Sequence, residues 1–400
     1  MKAIDFFSPD YTTARGRFLD AVSKLGWQTE SYPLQAKGPN DEQLCVDVAS
    51  IGAPESERVV IVSSGLHGVE GFFGSAVQLA WLEGLTAEWL PPANTKVVLV
   101  HALNPFGFAW LRRWNENNVD LNRNFLGDLS FLTEQSYQES RAVSERLYPF
   151  LNSSSPPSRW EPYTLKALWW ILAEGFAARR QLELKQRPYI LSLNAIKRLG
   201  MEELQKTLPV GQYEHRKGLF YGGKEPEETT LMLQEKLPAW TKGVALTLHI
   251  DFHTGLGKWK DYKLLINDLK GSESAEWVAA NFGENAVEAS EGKTAYKAHG
   301  TMAEYFRDRR TGGTYHCLTA EFGTYSGIRV LGALRTENRA HFYAKRGSNR
   351  YKWAKRKIVK AFCPASPCWR KAVVPKGIRI INRAIKVCSN SKDYAVQSSA

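Results

Sequence analysis

The sequence predicts an α/β fold in which a mostly parallel mixed sheet is flanked by helices. Continuous β-branched runs at residues 58–64, 96–101 and 244–252 are typical of strands buried on both faces. Residues 72–83 have helical character between the first two runs, and a strand, a helix and a strand at this spacing form a parallel βαβ unit. Four hundred residues, 43% of them apolar, suffice for one large domain with additions or for two ordinary domains.

The remaining expected elements surround this unit. They are helices at 11–24 and near 275–282, and strands at 28–33, 43–50, 262–266 and 319–322, with further helices to about residue 386. Residues 126–242 are less regular, and we interpret them as a large helical insertion. We therefore expect one domain over residues 1–345 and a basic helical segment, residues 346–400, packed on it.

The positive charge of the chain is concentrated near its C-terminus. Residues 331–400 hold seventeen Lys and Arg against two acidic residues, whereas the whole chain carries a net charge of +12. Aromatic residues interleave with these charges, which fits nucleic-acid binding through phosphate contacts and stacking. Amphipathic helices with their aromatics turned inward fit equally well, and charge runs usually mark a solvated face. We favour the second interpretation and expect no nucleic-acid partner.

The sequence also indicates the cellular compartment of the protein. The first residues show no apolar signal-peptide region, and the longest apolar stretch, residues 167–178, is shorter than the roughly 20 residues that span a bilayer. The five cysteines are scattered and odd in number, which suits a reducing compartment better than a disulfide framework. We expect a cytoplasmic protein with no membrane partner.

Two residues just beyond the first buried strand could share a metal ion. His67 and Glu70 follow the carboxyl end of strand 58–64, where ligand crevices of open α/β sheets form. A spacing of three places both side chains on one side of a single turn. Alone, this pattern also fits a surface histidine and a glutamate stabilised by a helix dipole, so it is a weak signal.

A third residue, His253, strengthens the metal interpretation. Polar and apolar residues alternate over 248–253, so His249, Asp251 and His253 share one face of a strand. His253 ends this strand at the same sheet edge as His67, and a His₂Glu set leaves one zinc position open to water. Asp251 could hold an imidazole in the required tautomer. His249 is interpreted as a core histidine with satisfied hydrogen bonds.

Glu321 and an Asn-rich loop carry further candidate groups. Glu321 lies in strand 319–322, where a carboxylate near a metal can accept a proton from water and deliver it to a leaving amine. An ion pair at the sheet edge is the alternative. Residues 115–125 follow Arg112 and Arg113, whose planar guanidinium groups suit a carboxylate or a developing oxyanion. The composition of this loop fits a solvated surface loop as well.

Five motifs occur in a fixed order along the chain. They are His67-x-x-Glu70, Asn104-Pro105-x-Gly107, Asp120-Leu121-Asn122-Arg123-Asn124-Phe125, Asp251-x-His253-Thr254-Gly255 and Thr319-Ala320-Glu321-Phe322. As a set they resemble the zinc carboxypeptidase superfamily of the M14 type, which includes aspartoacylase and succinylglutamate desuccinylase. The resemblance covers most of the chain and is nearest to a bacterial branch of M14-like proteins.

This resemblance implies a zinc carboxypeptidase-like fold with one zinc ion. It assigns the metal to His67, Glu70 and His253. The general base of the superfamily matches Glu321.

The resemblance also implies how a substrate is held. Asn122 and Arg123 match the pair that binds a substrate carboxylate, and Arg113, in preference to Arg112, matches the arginine that assists the oxyanion. The superfamily's mobile tyrosine has no clear counterpart, and Tyr296 is the nearest candidate. The stretch between Asn122 and the last metal ligand is longer than in ordinary carboxypeptidases, which alters the expected cleft.

Two hypotheses follow for the function. The first is a zinc-dependent hydrolase that cleaves an amide or peptide bond near a free carboxylate, with an N-acyl-amino-acid deacylase as an alternative. Its partner would be a small-molecule or peptide substrate. The second is a non-catalytic module that binds metal or nucleic acid. The presence of all the expected catalytic side chains favours the enzyme.

Overall fold

A computed structural model describes residues 2–127, 210–289, 298–309 and 313–390, together with isolated positions between 132 and 157. Most of the predicted insertion, and the candidate Tyr296, lie outside these residues.

The described part of the chain forms an eight-stranded mixed sheet in the order β1-β2-β4-β3-β5-β8-β6-β7. The strands are β1 (Gln28–Lys37), β2 (Gln43–Ile51), β3 (Arg58–Ser64), β4 (Thr95–His101), β5 (Leu246–Thr254), β6 (Tyr262–Leu265), β7 (Val287–Glu288) and β8 (Thr314–Phe322). The fold class predicted from the sequence is confirmed.

The four central strands, β4, β3, β5 and β8, run parallel to one another. The chain passes from β3 to β4 on one side and later enters β5 on the other side of β3. The strand order therefore reverses direction between β3 and β5. In open α/β sheets such a reversal opens a crevice outside the carboxyl ends of the two strands.

The helices in the described ranges pack against this sheet. They are α1 (Tyr11–Lys24), α2 (Gly71–Leu82), α3 (Pro105–Ala109), α4 (Glu228–Trp240), α5 (Glu273–Phe282), α6 (Met302–Asp308), α7 (Gly327–Tyr343), α8 (Asn349–Phe362) and α9 (Pro367–Asn390). None of them is both long and apolar enough to cross a membrane.

Alternating side chains of the central strands build two apolar clusters, one on each face. On one face, Val60 and Val62 of β3 join the buried residues of α1, α2 and α9. On the other, Val59 and Ile61 join residues of α4 and α6, among them Phe306. Because both faces of β3 are covered, its sequence reads as a continuous β-branched run rather than an alternating one.

The two C-terminal helices belong to the first of these faces. Trp369 of α9 is fully buried, packs against Phe73 with ring centroids 5.5 Å apart, and donates its indole N–H to the carbonyl of Gly323. Several basic residues of α9, including Lys371 and Arg379, are exposed. The arrangement is that of an amphipathic helix with its aromatic side chain turned inward.

Three local differences from the sequence-based expectations have simple causes. Strand β8 begins at Thr314, five residues earlier than expected, because it pairs with β5 over its whole length. Strand β5 extends to Thr254, one residue beyond His253, where we expected it to end. Helix α3, which we did not expect, begins after Asn104, since the Asn104 side chain accepts a hydrogen bond from the Gly107 N–H and Pro105 occupies the first helical position.

We expect Trp369→Ala to lower the free energy of unfolding by about 3–5 kcal/mol, because it leaves a large cavity between α9 and the sheet. Lys371→Ala, on the exposed side of the same helix, should change it by less than about 0.5 kcal/mol. Chemical denaturation monitored by circular dichroism measures both. Equal stability of the two variants would show that α9 contributes little to the core.

Candidate metal centre

Three side chains converge at the crevice between β3 and β5. His67 follows β3, Glu70 ends the short 3₁₀ turn Gly68–Glu70, and His253 is the penultimate residue of β5. His67 Nδ1 lies 3.0 Å from Glu70 Oε1 and 3.1 Å from His253 Nδ1, and His253 Nδ1 lies 3.2 Å from Glu70 Oε2. One potential ligand atom from each residue falls within 4.8 Å of the others.

Sharp backbone turns bring these residues together. Gly65, directly after β3, has a φ of +69°, which an L-residue with a side chain rarely adopts. A Cβ atom on Gly68 would lie 2.1 Å from the carbonyl carbon of Gly107, so the close approach of α3 to the turn requires a glycine. The turn therefore presents His67 and Glu70 from one side of the crevice.

Burial makes the charges of this cluster interdependent. Glu70 is 1% exposed and His253 2% exposed. Burial alone would raise the pKa of Glu70, but the charges of His67 and His253 outweigh it and hold that pKa below its usual range. Burial would likewise lower the pKa of His253, yet Asp251 and Glu70 raise it well above its usual value. The pKa values of Glu70 and His253 therefore depend on each other.

Each imidazole has a second carboxylate behind it. His67 Nε2 lies 3.1 Å from Asp120 Oδ1, and His253 Nε2 lies 2.5 Å from Asp251 Oδ2. Both carboxylates are buried and have lowered pKa values, although burial itself would raise them. A carboxylate that accepts the Nε2 proton leaves the Nδ1 lone pair of the same ring directed into the crevice. The position expected for Asp251 is therefore the one observed.

The two consecutive arginines point to different places. Arg113 donates to Asp120 at 2.9 Å, and its guanidinium nitrogens lie 2.6 Å from His67 Nε2 and 3.5 Å from Glu70 Oε1. Arg112 instead donates to Glu337 of α7 at 3.0 Å. Arg113 is thus the arginine that reaches the metal centre, and Arg112 joins the loop to the helix.

The contacts of His67 Nε2 with Asp120 and with Arg113 exclude each other. Asp120 is ionised and requires a proton on Nε2, whereas the guanidinium of Arg113 requires a lone pair there. If His67 held a metal ion through Nδ1, its remaining proton would be on Nε2, and the contact with Asp120 would be favoured.

Glu321 lies beside the three converging residues on the adjacent strand. It is paired in register with His253, and its Oε1 accepts a hydrogen bond of 2.8 Å from the Leu256 N–H. Burial and the negative charge of Glu70 raise the pKa of Glu321 to about 8, despite the opposing influence of His253 and Arg113. A carboxyl group with a pKa of about 8 can both accept and release a proton near neutral pH.

Asn122 and Arg123 form a 3₁₀ turn after Asp120, at the side of the crevice. Asn122 Oδ1 accepts a hydrogen bond from the Met302 N–H at the start of α6. The Arg123 side chain is 1% exposed, and its Nη1 contacts the Asn122 carbonyl at 2.5 Å. The hydroxyl of Tyr213 donates to the Arg123 carbonyl at 2.8 Å.

Two participants escaped the sequence analysis. Asp120 belongs to one of the five motifs, but the sequence assigned no role to it. Its position two residues before Asn122 was the feature that could have indicated one. Ser63 stood at the polar end of an apolar strand, and nothing in the sequence distinguished it from Ser64. In the structure its hydroxyl donates to Asp251 at 2.6 Å.

The donor set fits zinc. Two imidazole nitrogens and a carboxylate are ligands that zinc accepts, and three protein ligands are the number typical of catalytic sites. The carboxylates behind the histidines complete the arrangement found around such ligands.

Among curated proteins none matches the sequence. The fold is similar to carboxypeptidase A of Helicoverpa armigera, with 11% identity over 88% of this chain and 74% of that one, at a TM-score of 0.44. It is also similar to the murein-tripeptide amidase of Escherichia coli O157, with 19% identity over 82% and 91% of the two chains, at a TM-score of 0.34.

The sequence matches one protein family over residues 7–376. Because this match spans nearly the whole sequence, the chain belongs to the DUF2817 family, a family described as proteins of unknown function.

Proposed function

We propose that this protein is a zinc-dependent hydrolase that cleaves an amide or peptide bond near a free carboxylate, in the manner of a metallocarboxypeptidase. The convergence of His67, Glu70 and His253 at the sheet's switch point carries this proposal. Glu321 and Arg113 lie close enough to influence the same charges. A purely structural zinc site has four protein ligands and needs neither a base nor an arginine beside it.

Zinc would be held by His67, Glu70 and His253. When bound there it would supply a Lewis acid and lower the pKa of water towards about 7. The residues around it have the tasks that remain: to move the proton, to stabilise the developing negative charge and to hold the substrate.

Glu321 is the group best suited to move the proton. Its carboxylate accepts a proton from the attacking water and returns it to the leaving amine. The Leu256 N–H holds Oε1 in place, so Oε2 is the oxygen we assign to proton transfer. Burial keeps the pKa of the carboxyl group high enough for the proton to be both accepted and released.

Arg113 is the group best suited to stabilise the oxyanion. Asp120 fixes one edge of its guanidinium, and the ring of Phe220 lies 5.6 Å from it. When His67 Nε2 carries the proton that it donates to Asp120, it no longer accepts a hydrogen bond from Arg113 Nη2. We assign this Nη2 group to donate to a substrate oxygen.

Asn122 and Arg123 are assigned to the substrate carboxylate. The backbone of segment 210–223 wraps closely around this turn: a Cβ atom on Gly211 would lie 3.0 Å from Arg123 Cδ, and the Asn124 side chain donates to the Gly222 carbonyl at 2.8 Å. The burial of Arg123 favours a small substrate, which supports the alternative of an N-acyl-amino-acid deacylase beside that of a carboxypeptidase. Either substrate presents a carboxylate for a bidentate guanidinium contact.

We expect the purified protein to bind one zinc ion per chain and His253→Ala to lose it, because the variant removes one of three ligands. His316→Ala is the matched control, since His316 is also a buried histidine of the sheet but contacts Ser274 and Trp277 instead. Mass spectrometry of bound metal after dialysis measures the content. Stoichiometric zinc in His253→Ala would refute the assigned site.

Glu321→Gln should keep its zinc and lower kcat by about 10²- to 10⁴-fold, as expected when a general base is removed. In the wild type, activity should fall as the pH drops through the pKa of Glu321, because only the ionised carboxylate accepts a proton. A bound dication lowers this pKa from about 8, so the midpoint should lie between 4.5 and 8. A hydrolysis screen of peptides with free C-termini and of N-acyl amino acids supplies the substrate. Full activity of Glu321→Gln would contradict the mechanism.

Arg123→Met should lower kcat/KM for carboxylate substrates by about 10- to 100-fold, the loss of one or two charged hydrogen bonds. The same substrates with an amidated carboxylate provide the control, since the wild type and the variant should cleave these equally poorly. An equal loss on both kinds of substrate would show that Arg123 supports the fold rather than the carboxylate.

A further inference from the structure

A chain of buried hydrogen bonds continues behind His253 into the sheet. Asp251 accepts from His253 through Oδ2 and from the Ser63 hydroxyl through Oδ1, at 2.5 and 2.6 Å. Ser63 Oγ lies 2.7 Å from His249 Nε2, and His249 Nδ1 lies 2.7 Å from the Tyr315 hydroxyl. All five side chains are at most 7% exposed. Strands β3, β5 and β8 each contribute at least one of them.

The protons on this chain can be placed by counting donors. The Ser63 hydroxyl has a single proton and donates it to Asp251 Oδ1. The contact between Ser63 and His249 therefore needs a proton on His249 Nε2. Burial lowers the pKa of His249 to about 4, so the ring is neutral at pH 7 and its Nδ1 is an acceptor. The Tyr315 hydroxyl then donates to Nδ1, and every bond runs in one direction, towards Asp251.

The direction of these bonds determines what Asp251 can do for His253. With Oδ1 occupied by the Ser63 hydroxyl, Oδ2 is left to accept the Nε2 proton of His253. Nδ1 of His253 is then the atom that faces His67 Nδ1 and Glu70. A carboxylate without the Ser63 contact could rotate and exchange its oxygens, and the imidazole would lose its fixed orientation.

We propose that Ser63 and His249 are positioning residues that orient the Asp251 carboxylate and thereby hold His253 in the tautomer and orientation that bind the metal. The inference rests on the metal site of the proposed function and extends it by two residues that touch neither metal nor substrate. The sequence predicts that His249 is a core histidine with satisfied hydrogen bonds. Both of its ring nitrogens do have partners in the structure, and one partner, Ser63, connects it to Asp251 and the candidate metal site.

The strand pairing explains why these residues meet. Ser63 is directly paired with Asp251 in the parallel register of β3 and β5, so their side chains emerge side by side on one face of the sheet. His249 lies two residues before Asp251 and therefore on the same face. Apolar residues could fill this space without the loss of stability that a partly satisfied buried polar network causes. The continuity of the bonds as far as His253 indicates a role beyond filling the core.

Zinc affinity of Ser63→Ala is the test, measured by competition with a chromophoric chelator. We expect the affinity to fall by about 10- to 100-fold, the usual effect of removing a group that orients a metal ligand. Ser64→Ala is a closely matched control, because Ser64 is the next residue, is equally buried and donates to Gln78 rather than to the network. It should leave the affinity unchanged. Thermal unfolding of both variants without metal checks that they fold.

Two further variants separate positioning from packing. His249→Gln can keep a donor near the position of Nε2 and should retain most of the affinity, whereas His249→Leu cannot and should lose it. In an Asp251→Asn background, Ser63→Ala should cause no additional loss, because Ser63 acts only through that carboxylate.

The outcomes are distinct. Equal affinities of Ser63→Ala and Ser64→Ala, or an undiminished effect of Ser63→Ala in the Asp251→Asn background, would overturn the positioning role while leaving the metal site intact. A wild-type protein that binds no zinc would overturn the metal site and this inference together.

Discussion

The structure depends on the compensation of buried negative charge at one point of the sheet. Glu70, Asp120 and Asp251 are each at most 1% exposed, and an ionised carboxylate without partners in such surroundings is strongly unfavourable. Arg113 compensates two of them, and the imidazoles of His67 and His253 provide the remaining contacts. The same geometry that satisfies the carboxylates directs two Nδ1 atoms and two carboxylate oxygens to one place. These atoms are the ones that could hold a metal dication.

The parallel centre of the sheet distributes the parts of the site among its strands. The turn after β3 supplies two candidate ligands, β5 supplies the third, and β8 places Glu321 beside His253. The loop that follows β4 and α3 contributes Arg113 and Asp120. Because parallel strands end at the same edge, segments separated by almost two hundred residues in the chain meet without long connections at the site itself. The position of the candidate site is thereby tied to the order of the strands.

Much of this arrangement could be predicted from the sequence, because β-branched runs identify buried strands and polar residues at their ends identify a shared edge. His67, Glu70 and His253 lie together, as that reasoning predicts. The choice between Arg112 and Arg113 does not follow from it, since adjacent residues in an irregular loop can point in opposite directions and only the tertiary contacts decide. The role of Ser63 was equally hidden: it depends on the register between two strands that are distant in sequence.

Crystals grown with zinc, and diffraction data recorded on both sides of the zinc absorption edge, test the central claim most directly. The account predicts a single strong anomalous peak between His67 Nδ1, His253 Nδ1 and the Glu70 carboxylate, with Glu321 near the metal but outside its ligands. No peak at this position, or a principal peak elsewhere such as at the exposed Cys368, would contradict it.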